Sequence, residues 1–148
     1  MSLVPAEAAI ERLISASLLR LRMRTPFFAT VALFARIEPS AEVATAATDG
    51  RTVFVNPAAF QSLTPQQQDE LLLHEVMHAA LWHVARRGTR DAQLWNVACD
   101  IVVNGLLAEI EGITLSSDTL RDARRERLSV EEVYELLERD PQMPTLMR

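Results

Sequence analysis

Lysine is absent. All fifteen basic side chains are arginines, set against twenty acidic ones for a formal net charge of −5. That excess of acid lacks the basic footprint of a general nucleic-acid binder. Cysteine is nearly absent too, and the single Cys99 excludes an internal disulfide and suits a reducing compartment. Long hydrophobic runs are also missing. The longest uncharged stretch near the N-terminus, 25–35, is shorter than the ~18 apolar residues of a membrane span. Glu7, Glu11 and Arg12 fall where a signal peptide would need its apolar core. The expectation is a cytoplasmic protein with no membrane and no nucleic-acid partner. No period of about 20 to 50 residues recurs and no segment is low in complexity, which removes repeat arrays and linkers.

What is present is an average globular composition, 49% apolar and 24% charged over 148 residues. That is enough for one domain, 1–148, with a packed core, and too little for two cores. Ile10, Leu13, Ile14, Leu18 and Leu21 keep helical spacing and predict an amphipathic helix over about 5–22, with Arg12 and Arg20 outside. The run 27–37 is rich in Phe, Val and Ala and reads as a buried strand. Segments 43–48 and 51–55 flank Asp49-Gly50 and predict a hairpin, and Asn56-Pro57 starts a short helix through Phe60.

The next helix has the clearest start. Thr64 is a good N-cap, Pro65 takes the first helical position, and Gln67 completes a capping box. It is predicted over 65–87, with Gly88 as its left-handed cap. A further helix opens at Asp91 and ends near Gly112, 113–128 is irregular, and a last helix begins at Ser129 with Glu132 and stops before Pro141.

All three histidines lie in one decapeptide, His74-Glu75-Val76-Met77-His78-Ala79-Ala80-Leu81-Trp82-His83. On a helix, residues four apart differ by ~40° about the axis, so His74 and His78 share a face and can hold one Zn2+ at ~2.0–2.1 Å. Glu75 lies ~100° from His74 and ~60° from His78, poorly placed as an equal ligand and well placed to take a proton from water at the metal. The flanks Leu71, Leu72, Leu73, Val76, Met77, Leu81 and Val84 are apolar nearly all round. Two histidines and a glutamate inside such a helix are costly without a partner.

A third ligand has two candidates. His83 is ~180° from His74 if the helix continues to Arg87; it then faces away and serves the helix C-terminus. Asp100 is the only ionisable carboxylate between Ala92 and Ala108. It lies in an apolar helix with no cation of its own, and so wants one from elsewhere. Asn96 and Asn104, one turn on either side, extend a polar stripe and are placed to orient Asp100 or an imidazole. Tyr134 at helical spacing with Val130, Val133 and Leu137 reads as packing, Trp82 and Trp95 as core anchors, Cys99 as a small buried residue, and 121–127 as a solvated loop or helix edge.

His74-Glu75-x-x-His78 on a long helix resembles the zincin superfamily. Leu73 to His83 with Arg86-Arg87-Gly88, then Leu94 to Leu107, and finally Leu128-Ser129-x-Glu131-Glu132-Val133-Tyr134-x-x-Leu137, resemble more narrowly the putative metallopeptidase domain of bacterial proteins that usually carry a von Willebrand A-like domain behind it. The resemblance spans about 64–137. It implies a zincin-like α+β fold: a small antiparallel or mixed sheet of about three strands packed on the HExxH helix, with three or more further helices. It also implies zinc on His74 and His78, with Glu75 as catalytic base acting on a peptide or protein substrate. The expected von Willebrand A-like domain is not within these 148 residues. An alternative is a catalytically silent, metal-stabilised interaction module in an assembly with such a domain and an ATPase partner.

Overall fold

In the computed structural model the described residues are 6–117 and 119–139. They form an α+β fold with seven α-helices and one three-stranded mixed sheet. The chain divides into two compact units, Met1–Val84 and Ala85–Arg148.

The first unit opens with α1 (Ala6–Arg24), followed by α2 (Pro26–Val31) and a single 3-10 turn (Ala32–Phe34). The expected strand over 27–37 is therefore mostly helical, and only β1 (Arg36–Pro39) remains extended. A continuous apolar run does not distinguish a buried helix from a buried strand. Here Pro26 sits at the first helical position behind extended Thr25, where its missing N–H costs nothing. Buried Phe28 and Val31 then form the inner face of α2.

The hairpin forms about Asp49-Gly50 as expected, as β2 (Ala46–Thr48) and β3 (Thr52–Val55), but its first arm is shorter than the expected 43–48 because 43–45 are bends. Gly50 takes a positive φ of 101° in the turn, and Asp49 accepts from the N–H groups of Arg51 and Thr52 at 2.9 and 2.8 Å. Those two donors hold its carboxyl below the usual range. Strand order is β1-β3-β2, with β1 parallel to β3 in the register Arg36↔Thr52 and β2 antiparallel to it. Arg36 and Ser40 donate to Arg51 and Val55 of the β3 side. Alternation along the strand then turns Pro39 outward, to the edge where no donor is needed.

Short α3 (Pro57–Gln61) is capped by the Asn56 side chain and leads to α4 (Pro65–Ala80). The expected capping box is formed: Gln67 N–H donates to Thr64 Oγ1, and Thr64 N–H donates to Gln67 Oε1. Leu72, Leu73 and Val76 are wholly buried, and α4 packs against α1, α2 and the β2–β3 hairpin. Arg20 is not simply outside. Its guanidinium donates to buried Asp69 of α4 from Nε and Nη2 at 2.8 to 3.1 Å, and Ser17 Oγ donates to the same carboxylate at 2.6 Å.

The second unit is built on α6 (Ala92–Ala108) and α7 (Val130–Arg139). Asp91 caps α6 through Leu94 N–H, and Ser129 with Glu132 forms the expected box at the start of α7. Their seam is apolar: Trp95, Ala98, Ile101 and Val102 meet Val130, Val133, Tyr134 and Leu137. Tyr134 packs as expected, and its hydroxyl also accepts from Asp91 N–H at 3.0 Å.

The described residues of segment 113–128 form no helix, as expected, yet 121–127 is not simply solvated. Arg121 pairs with Glu126 and Arg125 with Asp122, all four partly buried. Glu126 lies directly over Gly105, where an added Cβ would come within 2.6 Å of the Glu126 Cβ. This close approach explains a glycine in mid-helix, which otherwise costs ~1 kcal/mol relative to alanine. The expected helix ends at residue 5 and before Pro141 lie outside the described residues. No helix among the described residues is long and apolar enough to cross a membrane.

Candidate metal centre

Helix α4 carries His74, Glu75 and His78 in its last two turns, each half-buried. The i, i+4 spacing acts as expected: His74 Nε2 and His78 Nε2 approach to 2.9 Å, with ring centroids 4.5 Å apart. Two imidazole nitrogens converging on one point, and no lysine or arginine in the decapeptide to compete for it, form a donor set that suits a borderline-soft cation such as zinc. A cation ~2.0–2.1 Å from each nitrogen fits with only a slight opening of the pair.

The expected helix over 65–87 is corrected here. α4 ends at Ala80, Leu81 is its C-cap, and Trp82 takes a left-handed φ of 59°. A separate short helix, α5 (His83–Arg86), follows. Neither glycine nor proline marks this break, so local propensity did not reveal it. The reversal carries His83 back toward α4, where its side chain is 3% exposed. His83 Nδ1 then lies 2.9 Å from His78 Nδ1. The premise that made His83 face away, an unbroken helix, does not hold. Trp82, expected in the core, is 63% exposed. Gly88 is left-handed as expected, with φ 60°, but it follows α5 rather than α4.

His78 thus uses both ring nitrogens, Nε2 toward His74 and Nδ1 toward His83. A cleft of about 680 Å3 in the first unit belongs to a different face. It runs between α1 and β1, with Val76 at its floor and Arg22, Arg36 and Glu38 among its lining. Val76 is ~160° from both His74 and His78 around α4.

Asp100, Asn96 and Asn104 are on α6 of the second unit, at the spacing read from the sequence. Asp100 is half-buried and Asn96 exposed. Asn104 is buried and donates from Nδ2 to the Leu120 carbonyl at 2.8 Å, tying down the irregular segment. Sequence reasoning did not foresee that anchor, because nothing local marks a side-chain hydrogen bond across sixteen positions. Cys99 is buried as expected, and burial, with the Asp100 charge adding to it, pushes its thiol up to about 12. A thiol in that state is protonated at neutral pH and is no nucleophile.

A family described as "Putative metallopeptidase domain" matches residues 10–144. A curated relative, an uncharacterized protein of Thermotoga maritima, is 26% identical over 117 residues, covering 74% of this chain and 30% of its own length. The chain therefore spans under a third of that relative. No solved structure matches.

Proposed function

The chain belongs to the "Putative metallopeptidase domain" family, and on that footing we propose that it is a zinc-dependent peptidase whose metal is held by His74, His78 and Asp100. The observation that carries this reading is the 2.9 Å convergence of His74 Nε2 and His78 Nε2, with Glu75 beside them on the same helix. Asp100 is proposed as third ligand because it is the one carboxylate of α6 and half-buried, a place where a carboxylate favours a cation. Asn96 and Asn104 are proposed to steady that helix face, Asn104 by fixing Leu120.

Zinc, when bound, supplies a Lewis acid that polarises a carbonyl and makes water acidic near neutral pH. Glu75 does the proton work. Its carboxylate takes the proton from the water that attacks the substrate carbonyl and holds it on an oxygen. His74 and His78, packed on a rigid helix, keep the reacting centre in place through the step. The substrate is a peptide or protein, and the setting proposed is cytoplasmic.

The test is a pair of measurements on protein purified without added zinc. Wild type and Glu75→Gln should both hold about one zinc per chain, since Glu75 is a base and not a ligand. Cleavage of unfolded protein substrates should fall in Glu75→Gln by ~10²- to 10⁴-fold, the contribution of a positioned base. His74→Ala or His78→Ala should lose the metal. Wild type without zinc would sink the reading. Zinc-loaded wild type as inactive as Glu75→Gln, alone and in a longer chain carrying a von Willebrand A-like domain, would leave a metal-stabilised interaction module.

A further inference from the structure

The geometry points to His83 as a positioning residue for His78, one that holds that ring through its Nδ1 so that Nε2 faces His74, rather than as a ligand to the same metal. This rests on the metallopeptidase reading of the site and gives His83 a role within it.

Three observations carry the assignment. The first is the path of the chain. An unbroken helix would place His83 ~180° from His74, and the left-handed turn at Trp82 brings it back. That turn costs ~1–2 kcal/mol for a residue with a Cβ, and a cost of this kind persists only where the surroundings hold it. The second is burial. His83 is 3% exposed beside two half-buried histidines, a cost that hydrogen bonding must offset. The third is which atoms meet. His78 Nε2 is 2.9 Å from His74 Nε2, and His78 Nδ1 is 2.9 Å from His83 Nδ1, with the His78 and His83 rings inclined at 65°. The two nitrogens of one imidazole are on different edges and point apart. A cation in the His74–His78 gap is therefore beyond reach of His83 unless the His78 ring turns over.

The proton positions follow. A ring that offers the Nε2 lone pair to a cation carries its proton on Nδ1. His78 Nδ1–H then donates, His83 Nδ1 accepts, and His83 keeps its own proton on Nε2. The contact fixes the tautomer and rotation of His78. A ligand's outer partner is commonly a carboxylate or carbonyl, and its removal typically costs ~10–100-fold in metal affinity. Here an imidazole takes that place.

The test compares His83→Leu with His83→Asn in the full chain. Asn keeps an acceptor close to the position of Nδ1 and Leu does not. Zinc affinity, read by competition with a chelator, should fall ~10–100-fold in His83→Leu and recover most of that loss in His83→Asn. Cobalt(II)-loaded forms of both should keep the wild-type visible absorption at saturation, because no ligand is removed. On wild type, long-range proton–nitrogen NMR of the zinc form should place the His78 proton on Nδ1 and the His83 proton on Nε2, a result independent of whether a variant folds. A changed cobalt spectrum with equal loss in both variants would make His83 a ligand and overturn the inference. So would unchanged affinity in His83→Leu, or the opposite tautomers. Wild type that binds neither zinc nor cobalt would overturn the metallopeptidase reading as well. Zinc binding with these tautomers but no cleavage would support the inference and count against catalysis alone.

Discussion

In the first unit the histidine helix is docked through a buried charge, whereas in the second unit α6 is docked on α7 through a seam of buried apolar side chains. Asp69 of α4 is 4% exposed and accepts from Ser17 and Arg20 of α1. Trp95 of α6 is 1% exposed among aliphatic side chains and Tyr134. The Arg86–Glu131 ion pair of the second unit stays at its partly exposed rim. A buried, forked arginine–carboxylate contact is directional, so it sets how α4 is rotated about its own axis, and that rotation aims His74 and His78. Apolar packing adapts more readily to small shifts. The unit that carries the histidine pair thus uses the contact that specifies orientation, and the other uses the contact that supplies bulk stability.

The comparison is broken most directly by truncating each contact. Trp95→Ala empties the centre of the α6–α7 seam and removes the ring under Arg90. It should cost ~3–5 kcal/mol by denaturant unfolding, the range for large aromatic truncations. Arg20→Met leaves the Asp69 carboxylate with Ser17 and the more distant Arg24. It should cost ~2–3 kcal/mol, less than for a fully buried pair because the Arg20 side chain is itself 30% exposed. It should also weaken zinc binding, since α4 loses its orienting contact, while Trp95→Phe should not. An Arg20→Met loss under ~0.5 kcal/mol, the scale of an ordinary surface change, would remove the distinction between the units.

The rim pair gives a smaller, pH-dependent effect. Arg86 donates to Glu131 from Nε and Nη2 at 3.1 and 2.5 Å and holds its carboxyl below the usual range. A carboxylate whose folded pKa is lowered contributes its stability fully above the unfolded value of ~4.3 and loses it as pH falls through the lowered one. Glu131→Gln should therefore cost no more than ~1 kcal/mol at pH 7, given 35% exposure of both side chains. The difference from wild type should shrink to nothing in acid. Parallel curves from pH 7 down to the acid transition would show that the pair adds nothing.

What could be read from the sequence was whatever local chemistry marks. Thr64, Pro65 and Gln67 announce the start of α4, Asp49-Gly50 the hairpin, Ser129 and Glu132 the start of α7, and the i, i+4 histidines their shared face. Three features escaped because no local residue type marks them. Arg20 meets a carboxylate 49 positions later, Gly105 makes room for Glu126, and α4 stops at Ala80 without a breaking residue. The strand expected over 27–37 failed for a different reason: a run apolar on every side carries no period to separate helix from strand.

The smallest effect is the most specific to that unannounced stop. If the reversal at Trp82 is a backbone constraint, glycine is the residue it suits, since φ 59° carries no Cβ penalty there. Trp82→Gly gives up ~1–2 kcal/mol of strain and little burial, the side chain being 63% exposed. It adds ~0.5–1 kcal/mol of unfolded-chain entropy to be lost on folding. The net change should run from neutral to a gain of ~1 kcal/mol, read as an unchanged or raised urea midpoint, with zinc affinity preserved because His83 still reaches His78. Trp82→Val has the same exposure to lose and a branched Cβ that resists positive φ. It should lower the midpoint and weaken zinc binding together. If the valine variant matches glycine in both measurements, the chain reaches His83 by a path that does not need the left-handed residue, and the turn is not what sets the histidine geometry.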